Sequence, residues 1–120
     1  MNIQIFGKAK SFDTKKAEMF FKERRIKFQY IDLLQKGLSG GEYKSVLAAV
    51  GGDVHILIDK KSRLYEELFI PHLALKEQIE EKLLDNPGLF AAPIVRNGRK
   101  TTVGYCPDVW KEWIFTVNSE

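Results

Sequence analysis

Alternating hydrophobic and polar positions open the chain. Residues 2–6 alternate and predict a β-strand, which ends at Gly7. Residues 12–25 instead repeat their apolar positions at helical spacing, which predicts an amphipathic helix, and residues 26–30 alternate again as a second strand. This order favours a parallel strand pair joined by a right-handed crossover. The apolar positions behind these predictions are Ala17, Phe20 and Phe21 in the helix, and Ile26, Phe28 and Tyr30 in the strand.

Helical spacing dominates the middle of the chain. A first helix is predicted after Ser39, and the pair Gly51-Gly52 ends it. Residues 64–70 are a short helical candidate, and residues 73–85 form a longer one that stops at Asn86-Pro87-Gly88. The predicted inner faces are Tyr43, Val46, Leu47 and Val50 in the first helix, and Leu75, Ile79 and Leu83 in the last.

Strand patterns return in the last third. Two β-prone runs, residues 93–96 and 99–103, flank Asn97-Gly98, a dipeptide that favours a tight hairpin because both residues tolerate a positive φ. Pro107 suits the first turn of a closing helix. Its apolar stripe comprises Val109, Trp110, Trp113 and Ile114, and we expect both tryptophans to lie in the core.

The order of elements is β-α-β, a helical insert over about residues 38–90, and then β-β-α. Without the insert, this order resembles that of thioredoxin and glutaredoxin. We therefore expect an α/β fold with a mixed four-stranded sheet, in a single thioredoxin-like domain over residues 1–120. That fold also implies a cis peptide bond at Ala92-Pro93, with Pro93 facing the first helix.

Composition narrows the function classes. The chain has 120 residues, of which 44% are hydrophobic and 29% charged, a mixture typical of one soluble globular domain. The net charge of +3 is too mild for a nucleic-acid arm, and we expect neither direct nucleic-acid binding nor membrane association. A single cysteine, Cys106, excludes an internal disulfide and favours the cytoplasm. His55 and His72 belong to no cluster with metal-ligand spacing, so we expect no metal.

The first turn carries the candidate chemistry. A cysteine at the N-terminus of the first helix would become a reactive thiolate, because backbone N–H groups and the helix dipole stabilise its charge. Ser11 stands there instead, and a hydroxyl cannot perform thiol–disulfide exchange. Taken alone, Ser11 is better explained as a helix N-cap, because serine is a favoured residue at that position. The surrounding lysines, which are Lys8, Lys10, Lys15 and Lys16, either favour an anion at this turn or form a solvated face.

Several motifs in order resemble a known family, the glutaredoxin-type arsenate reductases (ArsC) and their relatives, including the Spx-type transcription regulators. The likeness covers roughly residues 2–115. Its most specific pieces are Ala92-Pro93-Ile94-Val95 and Val103-Gly104-Tyr105. The others are Ile5-Phe6-Gly7, Asp13-Thr14-Lys15-Lys16-Ala17, Ile31-Asp32-Leu33, Leu57-Ile58-Asp59-Lys60-Lys61, Tyr65-Glu66-Glu67-Leu68 and Asn86-Pro87.

Departures from the family pattern limit what the resemblance implies. The nucleophilic cysteine would fall at Ser11, and the arginines that hold the oxyanion would fall at Asp59, Ala92 and Cys106. An anion would lose charge-assisted hydrogen bonds worth about 1.5–3 kcal/mol each, which argues against arsenate reduction. Thr14 stands where a second redox cysteine would be, so a two-cysteine switch cannot operate.

The resemblance implies further site residues. Cys106 would be the resolving thiol in a form that carried cysteine at position 11, or else a buried or capping residue that behaves as a small hydrophobe. Phe12 is a candidate exposed aromatic beside the site. The remaining candidate binding residues are Lys8, Lys10, Lys15, Pro93 and Tyr105.

Three functions are compatible with these residues and with the resemblance. The first is an ancestral thiol-dependent reductase, inactive with Ser11, which in a cysteine-containing form would use glutathione or thioredoxin as reductant. The second is a non-enzymatic regulator that binds RNA polymerase or another protein, for which the glycine region at Gly51-Gly52 resembles the partner-contacting region of such regulators. The third is a module that binds a small anion or glutathione through residues 8–16 and the helix N-terminus.

Overall fold

The computed structural model describes residues 1–118, with side chains up to residue 116. The strands are β1 (Ile3–Gly7), β2 (Phe28–Asp32), β3 (Ile94–Asn97) and β4 (Lys100–Val103). The helices are α1 (Phe12–Glu23), α2 (Gly40–Ala49), α3 (Arg63–Glu67), α4 (Lys76–Asp85) and α5 (Pro107–Asn118). Short 3-10 turns occupy Val54–Leu57, Ile70–His72 and Pro87–Leu89.

The four strands form one mixed sheet in the order β2-β1-β3-β4. β1 runs parallel to β2 and antiparallel to β3, and β3 pairs antiparallel with β4. Gly98 adopts a φ of 61° in the tight turn between β3 and β4, where an L-residue would be strained. The predicted α/β class, mixed four-stranded sheet and hairpin are therefore confirmed.

Each face of the sheet carries its own hydrophobic core. Ile3 and Ile5 of β1 point to one side, and Phe6 points to the other, because side chains alternate along a strand. The first side packs against α1 and α5 through Ala17, Phe20, Phe21, Val95, Trp110 and Trp113. The second side packs against the helical insert, whose buried residues include Tyr43, Val46, Leu57, Ile79 and Leu83. Both tryptophans lie in the core, as predicted.

One predicted inner-face position is wrong, and two apolar residues of other predicted elements lie partly exposed. Leu75 is 57% exposed because it precedes α4 as its N-cap residue and lies outside the helical stripe. Tyr30 is 37% exposed on β2, which is an edge strand, and Ile31 is its buried neighbour. Val109 of α5 is 39% exposed. The predicted helix over 12–25 ends at Glu23, and Arg25 follows with a left-handed φ of 57°.

Candidate functional site

Ser11 caps the first helix. Its backbone is extended, and its Oγ accepts a hydrogen bond from the backbone N–H of Thr14 at 3.1 Å. Its carbonyl accepts from Lys15 N at 3.2 Å, the first helical hydrogen bond. The N-cap interpretation is confirmed. The same N–H would point at a sulfur atom in this position, so the turn retains the geometry that stabilises a thiolate.

Thr14 fixes the loop between β1 and α1. Its side chain is fully buried, and its Oγ1 accepts from Lys8 N at 3.3 Å. Its methyl group lies so close to Gly7 that a Cβ added there would overlap Cγ2 of Thr14. A glycine is therefore required where the strand enters the loop, and Thr14 serves packing where the family pattern has a second cysteine.

The close approach of Gly7 predicts a specific steric coupling. Gly7→Ala should destabilise the protein by about 1–3 kcal/mol, since overpacking a buried position forces backbone shifts. Part of this loss should be recovered when Thr14→Ser is added to Gly7→Ala, because serine keeps the hydroxyl and lacks the methyl group. Urea unfolding of the single and double variants measures the coupling.

Gly40 offers the matched control, because a Cβ added there meets nothing within 4 Å. Gly40→Ala should leave stability unchanged or raise it slightly. If Gly7→Ala lowers the free energy of unfolding as much in the Thr14→Ser background as in the wild-type chain, the steric explanation is contradicted.

Lys8 binds the helical insert. Its Nζ donates to the carbonyl of Gly88 at 2.7 Å and lies 3.6 Å from Oδ2 of Asp59. Burial lowers the pKa of the Lys8 ammonium, and the Asp59 carboxylate acts in the opposite direction. Asp59 itself is tied to the adjacent segment, because its N–H donates to Leu89 O at 2.8 Å. The Lys8 cation thus already has an anionic partner within the chain.

The pairing of Lys8 with Asp59 was not predicted. The sequence suggested that Lys8 either favours an anion at the first turn or belongs to a solvated face, and that Asp59 stands in place of an oxyanion arginine. The two residues are far apart in the chain, and no local pattern indicates that the insert brings them together.

Pro93 lies beside the same turn. The Ala92–Pro93 peptide bond is cis, as the fold implied, and Pro93 is buried. Phe6 pairs with Ile94 where β1 and β3 run antiparallel. Gly7 follows Phe6 and Pro93 precedes Ile94, so Gly7 and Pro93 lie at the same end of these two strands. The carbonyl of Pro93 accepts from Gly104 N at 2.8 Å, which joins it to the segment that carries Tyr105. Lys10 is exposed on the loop.

Cys106 is a free, half-buried thiol. Its Sγ donates to Val103 O at 3.5 Å, and the residue packs against the core between the sheet and α5. Burial raises the pKa of the Cys106 thiol; the Asp13 carboxylate adds to this effect, and Thr102 acts against it. The thiol is therefore protonated at neutral pH, which is the opposite of an activated thiolate.

Alkylation of Cys106 should accordingly be slow at neutral pH. The rate of reaction with iodoacetamide should rise with pH and reach half its maximum above about 8.5, the ordinary pKa of a free thiol, because only the thiolate reacts. Free cysteine, measured in parallel, is the reference. A half-maximum below that of the reference would contradict the burial argument.

Phe12, Lys15 and Tyr105 come together elsewhere, in a groove between α1 and α5 with a volume of about 420 Å³. Neither Ser11 nor Cys106 lines it. The predicted site residues thus divide between the capped turn and this groove. Lys16, another of the lysines expected at the first turn, also lines this groove. The other lining residues were not predicted as site residues; they are Met19, Phe20, Glu23, Arg24, Pro107 and Lys111.

Two other kinds of site are absent from the described part of the chain. Residues 1–118 contain no group of three histidine, cysteine, aspartate or glutamate residues that could hold a metal ion. None of the helices described there has the length and apolar character needed to cross a membrane.

Comparison with known proteins places this geometry in a family. The model of the ArsC family matches residues 6–113. Global transcriptional regulator Spx 2 of Oceanobacillus iheyensis is 27% identical over 118 residues, which cover 95% of this chain and 84% of the regulator. The global transcriptional regulator Spx of Staphylococcus saprophyticus is 25% identical, with 88% and 82% covered.

Solved structures agree on the fold. An arsenate reductase from Vibrio cholerae superposes with a TM-score of 0.81 at 23% identity, covering 93% of this chain and 97% of that one. A putative ArsC family related protein from Bacteroides fragilis gives a TM-score of 0.80 at 22% identity, again covering 93% and 97%. At these identities the likeness concerns the fold alone.

Proposed function

The chain belongs to the ArsC family, and on that premise we propose that it is a member without thiol chemistry that acts by binding a protein partner, as a regulator of the Spx kind. The observation that carries this proposal is the state of the first turn. Ser11 is a helix cap, and the neighbouring Lys8 cation is engaged by Asp59 and Gly88.

These residues support neither nucleophilic catalysis by Ser11 nor arsenate reduction. A serine nucleophile needs a base within hydrogen-bond reach, and the hydrogen bond found for the Ser11 side chain comes from a backbone N–H. Arsenate reduction lacks its receptor, because the resemblance places the oxyanion arginines at Asp59, Ala92 and Cys106. The one carboxylate among these neutralises Lys8 and would repel an oxyanion.

A regulatory role is supported by the curated relatives and by an exposed turn. The relatives named above are global transcriptional regulators. The turn after α2 contains Gly51 and Gly52, both with a left-handed φ, and a Cβ on Gly51 would meet nothing within 4 Å. We propose that the protein is cytoplasmic and that this turn contacts the α-subunit of RNA polymerase.

Affinity capture with purified polymerase α-subunit tests the proposal. The wild-type chain should retain the subunit, and Gly51→Lys should lose it because the added side chain blocks the turn. Gly98→Lys is the matched control, since Gly98 also has a positive φ and open space but lies in the β3–β4 hairpin. Failure of the wild type to retain the subunit would overturn the proposal, as would equal loss in both variants.

A second candidate is supported by the cap geometry. The Thr14 N–H that points at Ser11 Oγ is suited to a thiolate, so a form with cysteine at position 11 would be a thiol-dependent reductase, with glutathione or thioredoxin as reductant. In this interpretation, the serine removed an ancestral reductase activity and left its site intact. The variant Ser11→Cys tests it.

A further inference from the structure

The groove between α1 and α5 exposes large apolar side chains in a concave site. Phe12 is 78% exposed, Met19 56% and Tyr105 43%, whereas Phe20 is buried at 5%. The groove has a volume of about 420 Å³ between two helices. That size fits one or two large side chains of a bound segment, since pockets for small ligands begin at about 300 Å³.

The rim of this groove is strongly basic. Lys15 lies 5.9 Å from the ring centre of Phe12, and Lys16 lies 5.4 Å from that of Tyr105. Arg24 stacks 3.7 Å from the ring centre of Phe20, and Lys111 completes the lining. The single acidic residue of the lining is Glu23, which lies 4.0 Å from Arg24.

Three of these cations have no carboxylate partner in the part of the chain that the structure describes. Within residues 1–118 the ion pairs found are Lys8–Asp59 and Arg24–Glu23. Lys15, Lys16 and Lys111 therefore line the groove without an ion-pair partner among the described residues. The whole chain carries a net charge of only +3, so this excess of positive charge is local.

We propose that the α1–α5 groove binds an acidic protein segment that inserts an aromatic side chain between Phe12 and Tyr105. Carboxylates flanking that side chain would pair with the lysines of the rim, while the apolar wall would bury the inserted ring. The concave shape favours a peptide over a membrane surface, and the mild overall charge argues against a nucleic acid.

This inference does not depend on the proposed polymerase contact. The groove belongs to the face of the sheet that α1 and α5 cover, whereas α2 and the turn after it belong to the insert on the opposite face. Either surface can fail its test without affecting the other.

The test is fluorescence anisotropy with a labelled peptide, Asp-Glu-Asp-Phe-Asp-Glu-Asp, titrated with the full chain at low salt. The wild type should bind it. A peptide with serine in place of phenylalanine should bind about tenfold more weakly, as expected when an aromatic anchor worth about 1.4 kcal/mol is removed. A peptide in which asparagine and glutamine replace the acids should lose binding to a similar degree.

Protein variants locate the site. Phe12→Ala removes an exposed side chain without opening the core, and the double variant Lys15→Glu with Lys111→Glu reverses the rim charge; each should weaken binding about tenfold. Lys60→Glu is the matched control, because Lys60 is exposed on the insert and outside the groove. It should bind as the wild type does.

Three results would overturn the inference. One is the absence of wild-type binding to the acidic aromatic peptide. Another is equal weakening by Lys60→Glu and by the groove variants, which would indicate unspecific charge attraction. The last is stronger, Phe12-dependent binding to phosphatidylserine vesicles or to single-stranded DNA, which would assign the groove to a different class of partner.

Discussion

Replacement of Trp110 by alanine should cost about 3–5 kcal/mol of the free energy of unfolding, the range measured when a buried large aromatic is truncated. Trp110 is fully buried, and its ring lies 5.2 Å from that of Phe20 and 5.3 Å from that of Phe21. Its Nε1 donates to Thr102 Oγ1 at 2.8 Å, so truncation also leaves a buried hydroxyl without its donor. Urea denaturation measures the loss.

Two further variants make the Trp110 prediction robust. Trp110→Phe keeps most of the side-chain volume, so it should lose less of the free energy of unfolding. It can therefore be measured even if the alanine variant does not fold. Val109→Ala is the control on the same helix, because Val109 is 39% exposed and should cost little. A loss below about 1 kcal/mol in Trp110→Ala would contradict this description of the core.

Ser11→Cys should place a nucleophilic thiol at the first turn, which is unreactive in the wild-type chain. The thiolate would accept the Thr14 N–H that now caps Ser11, at the positive end of α1. In a Cys106→Ala background, the new thiol should attack glutathione disulfide and release one glutathione thiolate, leaving a mixed disulfide on the protein. At neutral pH the rate should exceed that of Cys106 in the unchanged chain by about tenfold or more, since the larger thiolate fraction outweighs the lower intrinsic nucleophilicity.

Much of the fold was predictable because the signals are local. Alternation before Gly7, the helical stripe that ends in Phe20 and Phe21, and the Asn97-Gly98 turn are each contained within a few neighbouring residues. The three 3-10 turns were not predicted, since elements of three or four residues are too short to establish a period.

The site was predictable only in part, for the same reason. Ser11 was recognised as a cap because a cap is a local motif, and the structure confirms it. The engagement of Lys8 by Asp59 and Gly88 depends on how the insert folds back over the first turn. The groove likewise joins Phe12 to Lys111, which come from opposite ends of the chain.

The central claim is that position 11 lies where the helix N-terminus would activate a thiol, so that the serine removes nucleophilic thiol chemistry from this turn. The most direct measurement is the pH titration of thiolate absorbance near 240 nm in the Ser11→Cys, Cys106→Ala variant. We expect a thiol pKa well below the free value of about 8.5. A pKa at or above that value would contradict the claim.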